Sequence, residues 1–303
     1  MLILFPNHPI RIRDVDSDYA GEATAAQAAG FQVGVVEHDR LCQGDVERAL
    51  RFINPGQGPC LYRGWMMTAG QYAAMYAGLV VRGYHPITEP RQYDFCHHLP
   101  ENYSLIEQFT PATAWITTDA AGIPLATDWG AIAATSARVG QGACIVKDWV
   151  KSQKHAWSTA CFIPDSQDGE AIRRIAGRFL ELQGDLLTGG LVFRRFIPLG
   201  IIKNHPRSGM PLGAEVRTFW IRGNPVLTIP YWEEAPIVEL PSLAPFTTVG
   251  ASIPSPFFTM DIARDANGSW FIMELGDGQV AGLPTPAATE QLYAALATTM
   301  KIP

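Results

Sequence analysis

Lysine is scarce in this chain of 303 residues: only five of its 23 basic residues are Lys, at 147, 151, 154, 203 and 301, and the rest are Arg. With 29 acidic residues the net charge is −6. That balance argues against a general nucleic-acid binder, which shows a basic surplus or stripe. Five cysteines, at 42, 60, 96, 144 and 161, are scattered and form no C-x-x-C pair, so neither a disulfide framework nor a zinc site is suggested. No run approaches the roughly 18 apolar residues of a membrane span, and the opening apolar stretch "LILF" is too short for a signal-peptide core. A cytoplasmic protein with no membrane partner is expected. At 47% hydrophobic and 17% charged residues, the chain can bury a core and is not of the disordered class.

The patterns that are present divide near residue 110. Before it, "LILF", an Ala-rich helix around 17–29, "VGVVEH", the helix "DVERALRF", "CLYRG" and the long helix "AGQYAAMYAGLVV" alternate, which predicts a mainly parallel α/β sheet. After it come "TAWITT", a helix over "DWGAIAATSAR", the strand "ACIVKDWV" and a charged helix near 168–183. The strands "GLVFRRFI", "EVRTFWIRG", "PVLTIPYW", "FFTMDIA" and "WFIMEL" then follow with turns at "RGNP" and "ANGS", and a closing helix covers "ATEQLYAALATTM". Runs of strands of this kind predict an antiparallel α+β region.

The last two strands carry acids in otherwise apolar runs. Asn267-Gly268 between two β-rich segments is a strong hairpin signal, because a type I′ turn needs positive φ at both central residues. Counting outward from that pair sets Asp261 opposite Glu274. Like charges directly opposed on a sheet repel, so a cation between them, a shared proton, a solvated strand end or a one-residue bulge must relieve the clash. Beyond the second strand, "ELGDGQVAGLP" adds Asp277 and Gln279 among glycines that let backbone approach a ligand. Oxygen ligands of this kind suit Mg2+.

Three of the five lysines fall within "CIVKDWVKSQKHAW", where a strand delivers Lys147 into a loop with Lys151, Ser152, Lys154 and His155. Loop amides and lysine ammoniums are a common cradle for phosphates; a solvated basic loop is the plain alternative. Strand alternation puts Glu215 and Arg217 on one face, where they could pair with each other or Arg217 could clamp a phosphoryl oxygen. It sends Arg194 and Arg195 to opposite faces. Arg63 stands at the carboxyl end of a predicted parallel strand, where open α/β sheets bind ligands, or forms a salt bridge there. His97 and His98 point apart on a short helix and read as structural. The stretch "HPRSGMPLG" at 205–213 reads as a lid or a surface loop.

Residues 113–284 resemble an ATP-grasp domain: Lys147 in "IVKDW" matches the family's strand lysine, "VKSQKHAW" its phosphate-covering loop, and Asp261 and Glu274 its metal acids. More narrowly, "LYRGWM", "IVKDWVKSQKHAW", "LVFRRF", "EVRTFW" and "ELGDGQVAGLP" resemble the ATP-grasp clade named for two arginines and a lysine. The resemblance implies an α/β plus α+β protein. A Rossmann-like pre-ATP-grasp domain would occupy residues 1–110, and a two-subdomain ATP-grasp fold with antiparallel sheets residues 111–303, with a lid-bearing part at 111–190 and a metal- and nucleotide-binding part at 191–303. Two departures stand out: Arg194 and Arg195 occupy the position where many members carry an acid beside the adenine, and Gly276 stands where an Asn is common. Asp277 or Gln279 is then left as the outer metal ligand.

The resemblance implies an ATP- and Mg2+-dependent carboxylate–amine ligase working through an acyl phosphate, on small-molecule or peptide substrates. Lys147, Arg217 and Arg63 would be catalytic. Lys147, Lys151, Ser152, Lys154, Arg194, Arg195 and Glu215 would bind nucleotide, and Asp261, Glu274 and Asp277 the metal. The rivals are an ATP-grasp kinase and a nucleotide-binding module without turnover.

Overall fold

A computed structural model describes residues 1–117, 128–204, 211–232 and 239–300. By compactness the chain divides into two units, one of residues 1–96, 215–262 and 275–303, the other of 97–214 and 263–274.

In the first unit β1 (Leu2–Pro6), β2 (Gln32–Val36), β3 (Gly58–Tyr62) and β4 (Tyr84–Pro86) form a parallel sheet in the order β2-β1-β3-β4. β1 is central and every one of its residues is buried, as the uninterrupted apolar run "LILFP" requires of a strand covered on both faces. The predicted helix "AGQYAAMYAGLVV" forms at Ala69–Val81, started by a capping box in which Thr68 and Gln71 satisfy each other's backbone N–H groups. The stretch "DVERALRF" holds only one turn of helix, Val46–Ala49, preceded by another short helix at His38–Cys42. The helix Pro286–Thr299 closes over Ile3, Phe5 and Leu61 with Leu292, Tyr293 and Leu296.

The second unit is built on β5 (Thr113–Thr117), β6 (Cys144–Lys147), β7 (Phe162–Ile163) and β8 (Gly190–Arg195), an antiparallel sheet in the order β5-β8-β6-β7. The helix Gly169–Gln183 lays Ile172, Ile175, Ala176 and Phe179 against Val146, Leu191 and Phe193. Asp168 caps its start through the N–H groups of Glu170 and Ala171. β9 (Ile201–Asn204) and β10 (Pro211–Gly213) form a separate two-stranded ladder. Residues 205–210 of the expected lid lie outside the described residues.

The remaining sheet orders β12 (Asn224–Pro230), β11 (Glu215–Ile221), β13 (Phe257–Arg264) and β14 (Trp270–Asp277) as β12-β11-β13-β14. Its two tight turns differ from expectation. The type I′ geometry occurs at Arg222-Gly223, both at positive φ (49° and 77°) and flanked by the pair Ile221↔Asn224. At the other hairpin only Gly268, at φ 90°, is left-handed; Asn267 is not. The N–H of Gly268 donates to the Asp265 carbonyl and that of Asp265 to the Ser269 carbonyl. Residues 266–268 are therefore a three-residue loop ending in a left-handed Gly. Asp265 selects it, its carboxylate accepting from Asn267 N (2.9 Å) and Ser269 N (2.7 Å). Counted from a two-residue turn at Asn267-Gly268, Ala266 would face Ser269; Asp265 faces it instead, a correction of one residue at the turn. Farther out, Gly278 N–H donates to the Phe257 carbonyl and Gly276 faces the Thr259 hydroxyl, in the register counted from Asn267-Gly268. A one-residue irregularity between these two halves reconciles them.

Candidate active site

In the second unit β6 ends on Lys147, whose ammonium lies 3.1 Å from the Val150 carbonyl and 3.5 Å from the Glu274 carboxylate. Lys147 is buried, whereas the Glu274 side chain is 39% exposed. Burial holds the Lys147 ammonium below the ordinary lysine range, against the pull of Glu274. The loop that follows carries Lys151 and Lys154 exposed and Ser152 half-buried. It is held down by a residue that sequence reasoning missed, Asp148, which is buried and accepts from the N–H groups of Val150 (2.7 Å) and Lys151 (2.5 Å). An Asp whose carboxylate takes the N–H groups two and three residues on is a recognised turn former, and that was the one available signal.

Arg194 and Arg195 point apart, as alternation predicts: Arg195 is exposed and Arg194 buried. Arg194 donates to the carbonyls of Met273 and Ile272 and to the Thr110 hydroxyl. Burial lowers it to about 10, partly offset by Glu274. Through Nη1 and Nη2 it thus fastens the backbone next to Glu274.

In the first unit Arg217 forks onto Asp261, Nε to Oδ1 and Nη2 to Oδ2, each at 2.8 Å, and its guanidinium lies 4.9 Å over the Tyr231 ring. Glu215 accepts from the Trp232 indole N–H at 3.1 Å. Asp261 therefore meets an arginine, a partner that strand position alone did not reveal.

Arg63 is placed otherwise than a substrate-orienting group requires. It is 1% exposed, forks onto Glu22 at 2.9 Å and 2.9 Å, and donates to the Gly278 carbonyl; Tyr293 also donates to Glu22, at 3.0 Å. The salt-bridge alternative is the one found. Asp277 is also closed in: it is 1% exposed, its Oδ2 has no hydrogen-bond partner among the described residues, and burial pushes its carboxyl up to about 7. Gln279 is spent inside as well, donating to the Tyr72 hydroxyl (2.9 Å) and accepting from Tyr62 N (3.3 Å).

Among the described residues no group of three or more His, Cys, Asp and Glu side chains is assembled to hold a metal. Glu274 and Asp261 remain as oxygen donors, the first partly open and beside an ammonium, the second already neutralised by Arg217. A part-exposed carboxylate such as Glu274 fits Mg2+, which commonly takes one or two carboxylates and leaves its other positions to waters and substrate phosphates.

Residues 137–296, more than half of the chain, match the ATP-grasp domain family described as the third of the clade named for two arginines and a lysine. The chain belongs to this ATP-grasp family. No curated protein matches it. Among solved structures, the RimK domain protein ATP-grasp from Sphaerobacter thermophilus is similar at a TM-score of 0.62 and 12% identity, over 98% of each chain. The D-cycloserine synthetase DcsG is similar at 0.60 and 13%, over 99% of this chain and 100% of its own. The ATP-grasp ligase PsnB, solved with a phosphomimetic variant of its minimal precursor, Mg and ADP, is similar at 0.56 and 14%, over 99% and 97%. These likenesses establish the mixed α/β and α+β fold. Among the described residues no helix is long and apolar enough to cross a membrane.

Proposed function

We propose that this protein is an ATP- and Mg2+-dependent ligase that joins a carboxylate to an amine in the cytoplasm. The observation that supports it is the buried Lys147 ammonium 3.5 Å from the part-exposed Glu274 carboxylate, at the root of a loop bearing Lys151, Ser152 and Lys154. Such an array suits a polyphosphate and its cation. Phosphoryl transfer depends on positioning and charge neutralisation rather than on a protein nucleophile, and these side chains supply both.

In this reading Lys147, Lys151, Ser152 and Lys154 hold the phosphates, Arg195 and Glu215 line the nucleotide, and Asp261 and Glu274 bind the metal. Bound Mg2+ supplies charge neutralisation on the phosphate oxygens. The substrate carboxylate oxygen attacks the γ-phosphorus and ADP leaves. The amine nitrogen then attacks the acyl carbon, expelling phosphate and losing a proton. Arg217 stabilises the transferred phosphoryl group by turning one arm of its fork from Asp261 to it. Arg63 and Arg194 hold backbone in place. The amide product is a small molecule or a modified peptide; PsnB, with its precursor peptide, is a fold relative of the second kind.

ADP release measured with pooled amino acids and peptides, followed by mass spectrometry, tests this. The expected product is a condensed amide. A stable phosphorylated product without an amide makes the protein a kinase. ATP turnover that Asp261→Asn leaves unchanged with every substrate removes the ligase assignment.

A further inference from the structure

Lys147 and its loop are tied together by a polar relay that reaches well beyond the lysines. Asp148 Oδ1 accepts from Val150 N and Lys151 N, and Oδ2 from Gln183 Nε2 at 2.7 Å and Thr188 N at 3.3 Å. Its own N–H donates to the Lys151 carbonyl at 3.0 Å. The turn so closed aims the Val150 carbonyl at the Lys147 ammonium, 3.1 Å away. Gln183, the last residue of the helix Gly169–Gln183, then accepts through Oε1 from Gln153 Nε2 at 2.5 Å.

The direction of this relay is fixed by chemistry. An ionised carboxylate only accepts, so Gln183 must turn its NH2 to Asp148, which leaves its carbonyl for Gln153. One buried amide thus clamps both the root of the loop, at Asp148, and its outer part, at Gln153, between Ser152 and Lys154. Asp148 and Gln183 are both at most 7% exposed, so neither is a group that meets a substrate.

We infer that Asp148 and Gln183 are positioning residues for nucleotide binding: they set the Lys147 ammonium and the Lys151–Lys154 loop in one arrangement before the phosphates arrive. Preorganised loops bind more tightly because the ordering cost is met in folding. The inference rests on the nucleotide reading of this loop.

The test is direct titration of Mg–ATP by calorimetry, alongside ADP-release kinetics and thermal melting, on the full chain. Gln183→Met cuts both clamps and is expected to weaken Mg–ATP affinity about tenfold or more, the scale seen when groups orienting a ligating side chain are removed. KM for ATP should rise in step while kcat changes much less. Gln153→Leu, half-buried and cutting only the outer bond, should give a smaller loss in the same direction with unchanged melting. Asp148→Ala should be severe and Asp148→Asn intermediate, because the Asn carbonyl still receives both loop N–H groups and the Gln183 and Gln153 amides can both turn over to meet the new NH2, while the bond from Thr188 N is lost. Gln183→Met and Gln153→Leu binding Mg–ATP like the parent protein, or Asp148→Asn binding it as weakly as Asp148→Ala, would overturn the relay. A parent protein that binds no Mg–ATP removes the nucleotide reading itself, and the relay's function with it.

Discussion

Arg63 grips Glu22 with two contacts of 2.9 Å, and Arg217 grips Asp261 with two of 2.8 Å. The forks are alike; their surroundings are not. Arg63 is 1% exposed, with Tyr293 on its carboxylate and the Gly278 carbonyl on its remaining arm. The Arg217 side chain is 20% exposed and lies over the ring of the half-buried Tyr231. A sealed pair has no group to exchange with and serves the fold. A pair with one accessible member can trade a contact for a ligand, so access rather than fork geometry separates a structural arginine from a candidate catalytic one.

Breaking the sealed pair should have the largest effect. Arg63→Met leaves Glu22 buried without its counter-charge, which costs about 3–5 kcal/mol of stability; urea unfolding should show it as a large drop in midpoint. Arg217→Lys removes the fork while keeping the charge. It should lower kcat/KM for ADP release about a hundredfold and cost less stability than Arg63→Met, since Lys keeps a counter-charge beside the buried Asp261. If Arg217→Lys unfolded the protein as Arg63→Met does, the distinction would fail.

The third and smallest effect concerns the closed side of the Arg63 pair, where Asp277 adjoins Gly278. Its carboxyl is raised from 3.8 to about 7 by burial, so the folded chain keeps a proton that the unfolded chain releases. Stability from this group is therefore full below about pH 4 and falls as pH rises through about 7. Asp277→Asn should flatten the melting temperature over that window and raise it on the alkaline side. A slope unchanged by the substitution would show that Asp277 is ionised in the fold.

Much of the fold was legible because it depends on local pattern. The helix Ala69–Val81 and the strand Cys144–Lys147 formed where the alternating apolar pattern placed them, and Lys147 stood out by its rarity. The turn at Asn267-Gly268 was misread because a favourable dipeptide competes with its neighbours. Asp265 accepts two loop N–H groups and selects a longer loop, while the type I′ turn formed at Arg222-Gly223, a less obvious pair. Asp148 and Gln183 escaped notice for a different reason: 35 residues apart, they share no period or motif.

By itself the sequence determined the family, the alternation of elements and the set of charged residues, because side-chain chemistry and hydrophobic period are written along the chain. Only the tertiary structure decided which of those charges face one another. Arg63 went to Glu22, Arg217 to Asp261, Lys147 to Glu274, and Asp277 was sealed away. Burial and Coulomb interaction depend on distance in space, and distance in space is what the order of residues leaves open.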